Sequence, residues 1–141
     1  MRILYIVHQY PQDKIGGAEL YTQAISRALA RRGHDVAVFY RRDVPSQGLQ
    51  YRAEKGVGVY AVWDREAGLA RRFLYTFRNL WFHRALIWAL DEFHPDVVHI
   101  QYLMGLLISL VSAFRQRSFL SNRYSARLLV ALSQCSVADQ L

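Results

Sequence analysis

Gly16 and Gly17 stand together where an apolar run, Ile3-Leu4-Tyr5-Ile6-Val7, has given way to a polar stretch and a helical pattern is about to begin. Glycine costs backbone entropy there, so the pair asks for a reason. The chemistry it suits is binding. Backbone without side chains admits a ligand closely, and the free N–H groups of a helix N-terminus favour an anion. The stretch is neither G-x-G-x-x-G nor G-x-x-x-x-G-K-S/T, so it carries no dinucleotide fingerprint and no P-loop. Glu19 suits the positive end of a helix dipole but would repel a phosphate placed against it. The plain alternative is a Gly-Gly turn that only starts the helix.

A second group lies in RRFLYTFRNLWFHRALIWAL, residues 71–90. Trp81 and Trp88 are seven apart and share a helix stripe, with Arg84 three and four residues from them. Arginine beside aromatic rings suits a lipid headgroup surface or a lipid-linked acceptor. Base stacking would use similar residues. The plain alternative is a core helix with arginines on its rim. No acid/base pair, nucleophile or metal set stands out, so no catalytic, cofactor or metal residue is assigned. Asp91 and Glu92 are adjacent on a helix, hence on different faces, and read as surface charges.

Such residues need elements to hold them. Arg2–Val7 reads as a short buried strand, and Ala18–Arg32 as a helix with Tyr21, Ala24, Ile25, Ala28 and Leu29 on its core face. Gly33 suits the cap that ends it. Val36–Tyr40 is the next strand, and strand, helix and strand in about 40 residues imply a parallel βαβ unit. Residues 41–56 read as a loop with a β piece at Leu49–Ala53, followed by a strand at Val57–Val62. Leu69–Phe77 and Leu80–Phe93 look helical, the second with Phe82, Ala85, Leu86, Ala89, Leu90 and Phe93 toward the core. Val97–Ile100 is a fourth parallel strand, and Gly105–Phe114 a further helix. The fold class is α/β: a Rossmann-like, doubly wound, mostly parallel sheet. In that fold Gly16-Gly17 fall at the carboxyl edge of the sheet, where ligands bind, and His99 near the end of the fourth strand points toward the same edge. A satisfied core histidine is the other reading of His99.

Composition agrees. The chain has 141 residues, enough for one domain with a real core. Its 52% apolar and 13% aromatic content argues against disorder. A net charge of +7, from 18 Lys+Arg that are nearly all Arg, suits anionic partners or a solvated basic surface. The single cysteine, Cys135, excludes an internal disulfide and a cysteine metal site. A reducing, cytoplasmic setting fits. Met1–Val7 is too short for a signal h-region, and the longest strongly apolar stretch, Tyr102–Phe114, falls short of a membrane span.

RILYIVHQYPQDKIGGAELYTQAISRALARRGHDVAVF resembles the start of the family 4 retaining glycosyltransferases, which have two facing Rossmann-like domains (the GT-B fold). The matching features are the opening strand, Tyr10-Pro11, Gly16-Gly17-Ala18-Glu19, the alanine-rich helix, and Arg32-Gly33-His34-Asp35-Val36. HPDVVHIQ, residues 94–101, resembles the family's Pro-Asp-Val-Val-His strand at the expected separation. The resemblance covers residues 2–114. It implies that residues 1–114 are the N-terminal, acceptor-side domain of such an enzyme and half of a GT-B fold. Gly16, Gly17 and His99 would then lie at a cleft edge near a nucleotide-sugar donor and a hydroxyl or lipid-linked acceptor. Many relatives carry a histidine where this chain has Gln101. The family's donor-binding half, with its Glu-x7-Glu motif, and the His-Asp pair after the fifth strand are not found.

These features set the expectations. The chain is a truncated N-terminal domain of an enzyme of polysaccharide or glycolipid synthesis, inactive alone, cytoplasmic or resting on the inner membrane surface, with no cofactor and no nucleic-acid partner. The alternative is a stand-alone Rossmann-like binding subunit of a two-chain transferase. Residues 115–141 depart from the pattern, and the apolar run at Leu128–Leu132 reads as a helix-like piece without a partner. Codons chosen for Tyr124–Val130 and read one nucleotide later can encode Thr-Leu-His-Asp-Tyr-Trp, the expected fifth-strand motif. A frameshift between about Phe114 and Arg123 would therefore have replaced that strand and bared an edge of the sheet.

Overall fold

The computed structural model describes residues 1–11, 16–42, 48–63, 80–101 and 127–130. They form the strands β1 (Arg2–Val7), β2 (Asp35–Arg42), β3 (Leu49–Glu54), β4 (Val57–Trp63), β5 (Val97–Ile100) and β6 (Arg127–Val130). Two helices accompany them, α1 (Gly17–Arg31) and α2 (Leu80–Phe93). The helices expected at Leu69–Phe77 and Gly105–Phe114 lie outside the described residues.

The strands make one sheet in the order β3-β4-β2-β1-β5-β6, parallel throughout except for the β3–β4 hairpin. That hairpin turns on Lys55 and Gly56, whose φ angles of 49° and 81° are the two positive values a two-residue type I′ turn requires. Side chains alternate across the sheet. Leu4, Ile6, Phe39, Val62, Val98 and Ile100 face α2, while Ile3, Tyr5, Val7, Val38, Tyr40 and Val59 face α1. Helices on both faces of a mostly parallel sheet make the fold Rossmann-like α/β, as the strand–helix–strand pattern predicts.

α2 docks through the stripe its spacing predicts. Phe82, Ala85, Leu86, Ala89 and Leu90 are buried and Phe93 packs beside them. Each fully buried large apolar side chain of this kind contributes about 1.5–3 kcal/mol. The helix ends where His94 adopts φ 47° and returns its N–H to the Leu90 carbonyl at 2.9 Å, just before Pro95.

α1 departs from expectation. Tyr21 and Ala24 are exposed, and the residues buried against the sheet are Thr22 and Ser26, flanked by Ile25, Leu29 and Ala30. The helix is turned by about one residue from its apolar stripe because Tyr10 and Gln101 supply polar partners on the sheet side. The tail also departs. Arg127–Val130 is no partnerless helical piece but a strand parallel to β5, with Val97 opposite Arg127 and Ile100 opposite Val130, so the flank of β5 expected to be bare is paired. The five-residue apolar run Leu128–Leu132 carries too little periodicity to separate helix from strand, and the hydrogen-bonding flank of β5 decides it.

Candidate functional site

β1 is the point where the winding of the sheet reverses. Its chain continues through α1 to β2 on one side, and β5 pairs with it on the other. In open α/β sheets the crevice beyond the carboxyl ends of two such strands is the binding site. The residues that border it here are those that follow β1, the start of α1, and Gln101 after β5.

The β1–α1 connection is anchored from below. Tyr10 is fully buried, its ring 5.5 Å from that of Tyr40. Its hydroxyl bonds the Ser26 and Gln23 side chains on α1. Burial first, then the Glu54 carboxylate, push the phenol up against those bonds and the Arg27 guanidinium. Tyr10 of the Tyr-Pro pair is therefore a packing residue that sets α1 on the sheet.

Gly16 caps α1 in extended backbone, φ −142° and ψ 172°, with no side-chain cap, and its carbonyl accepts the Leu20 N–H at 3.1 Å. A Cβ here would fall 3.3 Å from Cδ of Glu19, whose carboxylate folds back over the helix start. That places a negative charge at the positive end of the dipole. Gly17 differs: a Cβ added to it meets no described atom within 4 Å, and its φ is not positive. Neither backbone geometry nor the described packing requires a glycine at 17. Its effect is to keep a side chain away from the start of the helix.

On the other side of the crevice, the Gln101 N–H donates to the Ile6 carbonyl at 3.1 Å, carrying the β1–β5 pairing past the strand end. Its buried carboxamide meets the Thr22 hydroxyl, which also donates to the Ala18 carbonyl at 2.8 Å. One proton cannot serve both acceptors; a carboxamide turned end for end would donate to the hydroxyl and satisfy all three groups. Gln101 thus ties β5 to α1 across the switch point. The sequence reading does not mark Thr22, and it marks Gln101 only as standing where many relatives carry a histidine. The available signal was a polar residue directly after an apolar strand, together with Thr22 and Ser26 four apart on a helix.

His99 lies opposite Tyr5 in the register, on the α1 face, with the two rings 5.1 Å apart. It is half-buried, burial lowers its pKa, and its Nε2 is buried without a hydrogen bond among the described residues. Burial therefore favours the neutral ring. No cluster of three His, Cys, Asp or Glu suited to a metal occurs among the described residues.

The Trp81, Arg84 and Trp88 stripe lies elsewhere, on the outer side of α2. Trp81 is 51% and Trp88 46% exposed, and Arg84 is exposed between them. Neither ring belongs to the core. No described helix is long and apolar enough to cross a membrane.

Comparison with known proteins bears on this arrangement. The model of Glycosyltransferase Family 4 matches residues 15–124. No curated protein matches. Among solved structures, the chain is similar to the catalytic domain of starch synthase IV from Arabidopsis thaliana, bound to ADP and acarbose, with a TM-score of 0.59 at 14% identity. It is similar to sucrose-phosphate synthase from Thermosynechococcus elongatus with a TM-score of 0.58 at 16% identity. In both cases 92% of this chain is covered but only 33% and 32% of the other, so the chain spans about a third of those structures. At such identities the likeness is one of fold, the N-terminal half of a GT-B-like architecture.

Proposed function

The chain belongs to glycosyltransferase family 4, and from that membership we propose that it is the acceptor-side domain of a transferase that moves a sugar, with retention of configuration, from a nucleotide-sugar donor to a hydroxyl acceptor. Residues 1–114 carry this role, in the synthesis of a polysaccharide or glycolipid. The observation that supports it best is the start of α1 at Gly17, where a Cβ would meet no described atom within 4 Å, on the helix whose Thr22 meets Gln101 where the winding of the sheet reverses. His99 acts there as a neutral ring near the cleft edge. The donor is held mainly by a second half outside these 141 residues, so this chain by itself does not turn over.

The structure makes Gly17→Val a clean test. A side chain at 17 meets no described residue, so stability should hold, while approach to the helix start is blocked. In an enzyme joined with its donor-binding half, the variant should lose transfer and acceptor affinity. Full activity with unchanged affinities would leave a turn that only starts the helix. Clear donor-dependent transfer by the isolated chain would overturn the division of labour. The coding DNA tests the frameshift expectation separately, since an AGY codon at Ser125 or an AGR codon at Arg127 ends it.

The exposed Trp81, Arg84 and Trp88 favour a second element of the proposal: peripheral contact with the cytoplasmic membrane surface, or with a lipid-linked acceptor. Sedimentation with anionic vesicles, reversed by salt and weakened by Trp81→Ala, is the expected result. Equal sedimentation of the variant would remove it.

A further inference from the structure

We propose that a groove at the amino-terminal edge of the sheet is a binding site for a neutral saccharide, distinct from the carboxyl-edge cleft. The groove has a volume of ≈ 430 Å³ and is lined by Tyr51, Tyr60 and Trp88, with Arg2, Asp35 and Glu92 among its polar groups. Arg2 and Asp35 are the first residues of β1 and β2, which puts the groove at the opposite end of the strands from Gln101.

Its aromatic groups form a row. The Tyr51 and Tyr60 rings are 4.8 Å apart and tilted by 44°, and Tyr60 meets Trp88 edge to face at 5.9 Å and 78°. Tyr60 is buried between them, whereas Tyr51 remains 57% and Trp88 46% exposed. Gly58 permits this: a Cβ there would fall 3.2 Å from the Tyr51 ring, so the missing side chain lets that ring lie close to the sheet. Covering Gly58 and Tyr60 accounts for part of each ring and leaves broad apolar surface in water beside fixed polar groups.

The polar groups define the occupant. Arg2 is held in place by its backbone N–H to Asp96 Oδ2 at 2.7 Å and by its guanidinium to the Phe93 carbonyl at 3.3 Å. Two carboxylates and one guanidinium give the groove no positive excess, which disfavours a phosphate, a nucleotide diphosphate or an anionic headgroup. The edge-to-face contact at a buried Tyr60 leaves two separated walls instead of ring faces converging on one cation. A pyranose matches what remains. Its C–H face stacks on an aromatic ring, while its hydroxyls donate to carboxylates and accept from a guanidinium.

The test titrates the full chain with maltohexaose, cellohexaose and xylohexaose, read by tryptophan fluorescence and calorimetry. At least one should bind at millimolar concentration, and Trp88→Ala and Tyr51→Ala should each weaken it about tenfold, the scale of one lost aromatic stack. Trp81→Ala, on the same helix but outside the groove, should leave binding unchanged, which separates a saccharide groove from a lipid-facing stripe. Gly17→Val should also leave it unchanged, so failure here and failure of the cleft reading are told apart. Should Trp88→Ala not fold, Tyr51→Ala decides, because that ring lies outside both core clusters. Absence of binding by all three sugars, binding indifferent to Tyr51→Ala, or displacement of the sugar by choline or inorganic phosphate would overturn the proposal.

Discussion

α1 and α2 lie on opposite faces of one sheet and are held to it by different means. α2 presents a continuous apolar stripe from Phe82 to Phe93, and burial alone is enough to orient it. α1 turns Thr22 and Ser26 inward and leaves Leu20 and Tyr21 in water. Its orientation is set by polar partners, Gln101 for Thr22 and Tyr10 for Ser26, with an Arg27–Glu54 ion pair at 2.6 Å beyond them. Apolar contact is non-directional, so a helix held that way follows its own composition. A buried hydroxyl must find its partner, so a helix held that way follows groups elsewhere in the chain. The second kind of helix is the one that borders the crevice where the winding of the sheet reverses.

The sharpest test of this contrast is Leu86→Ala on α2, which should cost about 2–5 kcal/mol through lost burial and a cavity, read as a shift in urea midpoint. A loss near zero would mean that α2 is not anchored by its apolar stripe. Thr22→Val on α1 keeps the volume and removes the hydroxyl. It should cost about 1–3 kcal/mol, because the buried Gln101 carboxamide loses this partner. If Thr22→Val proves neutral or stabilising, polar anchoring is not what turns α1.

The pH dependence of stability reports on both faces. On the α1 face, burial lowers the His99 pKa, so the unfolded chain takes up that proton first as the pH falls. The contribution of His99 is full above about pH 6.5 and is lost below it, as pH falls through the lower folded value. On the α2 face, burial first, with Tyr51 and Glu92, pushes Tyr60 up to about 12. That contribution is full below about pH 10 and is lost as pH rises from there through the folded value. Urea midpoints against pH should therefore have a shallower acid slope in His99→Gln and a shallower alkaline slope in Tyr60→Phe, the remaining alkaline slope coming from Tyr5 and Tyr10, whose phenols burial also pushes up. Unchanged slopes in both variants would remove these contributions. The smallest effect is expected at Tyr21→Ser, within about ±0.5 kcal/mol, since the ring is solvent-exposed. A loss comparable to Leu86→Ala would restore Tyr21 to the core.

The sequence alone determined the elements whose signal is local. The run Arg2–Val7, the stripe of Leu80–Phe93 and the spacing of strand, helix and strand were enough to read β1, α2 and a mostly parallel α/β sheet, because burial of an apolar period needs no knowledge of the partner. The Gly16-Gly17 pair was likewise legible as a helix start at a sheet edge, and its family pattern was visible in the neighbouring residues. Only the tertiary structure decided which side of α1 faces inward, that Arg127–Val130 pairs with β5, that Gln101 ties β5 to α1, and that Tyr51, Tyr60 and Trp88 meet in one groove. Each of these depends on groups far apart in the chain. Hydrogen bonds and ring contacts act within a few ångströms and in fixed directions, so they exist only once the sheet has brought their partners together.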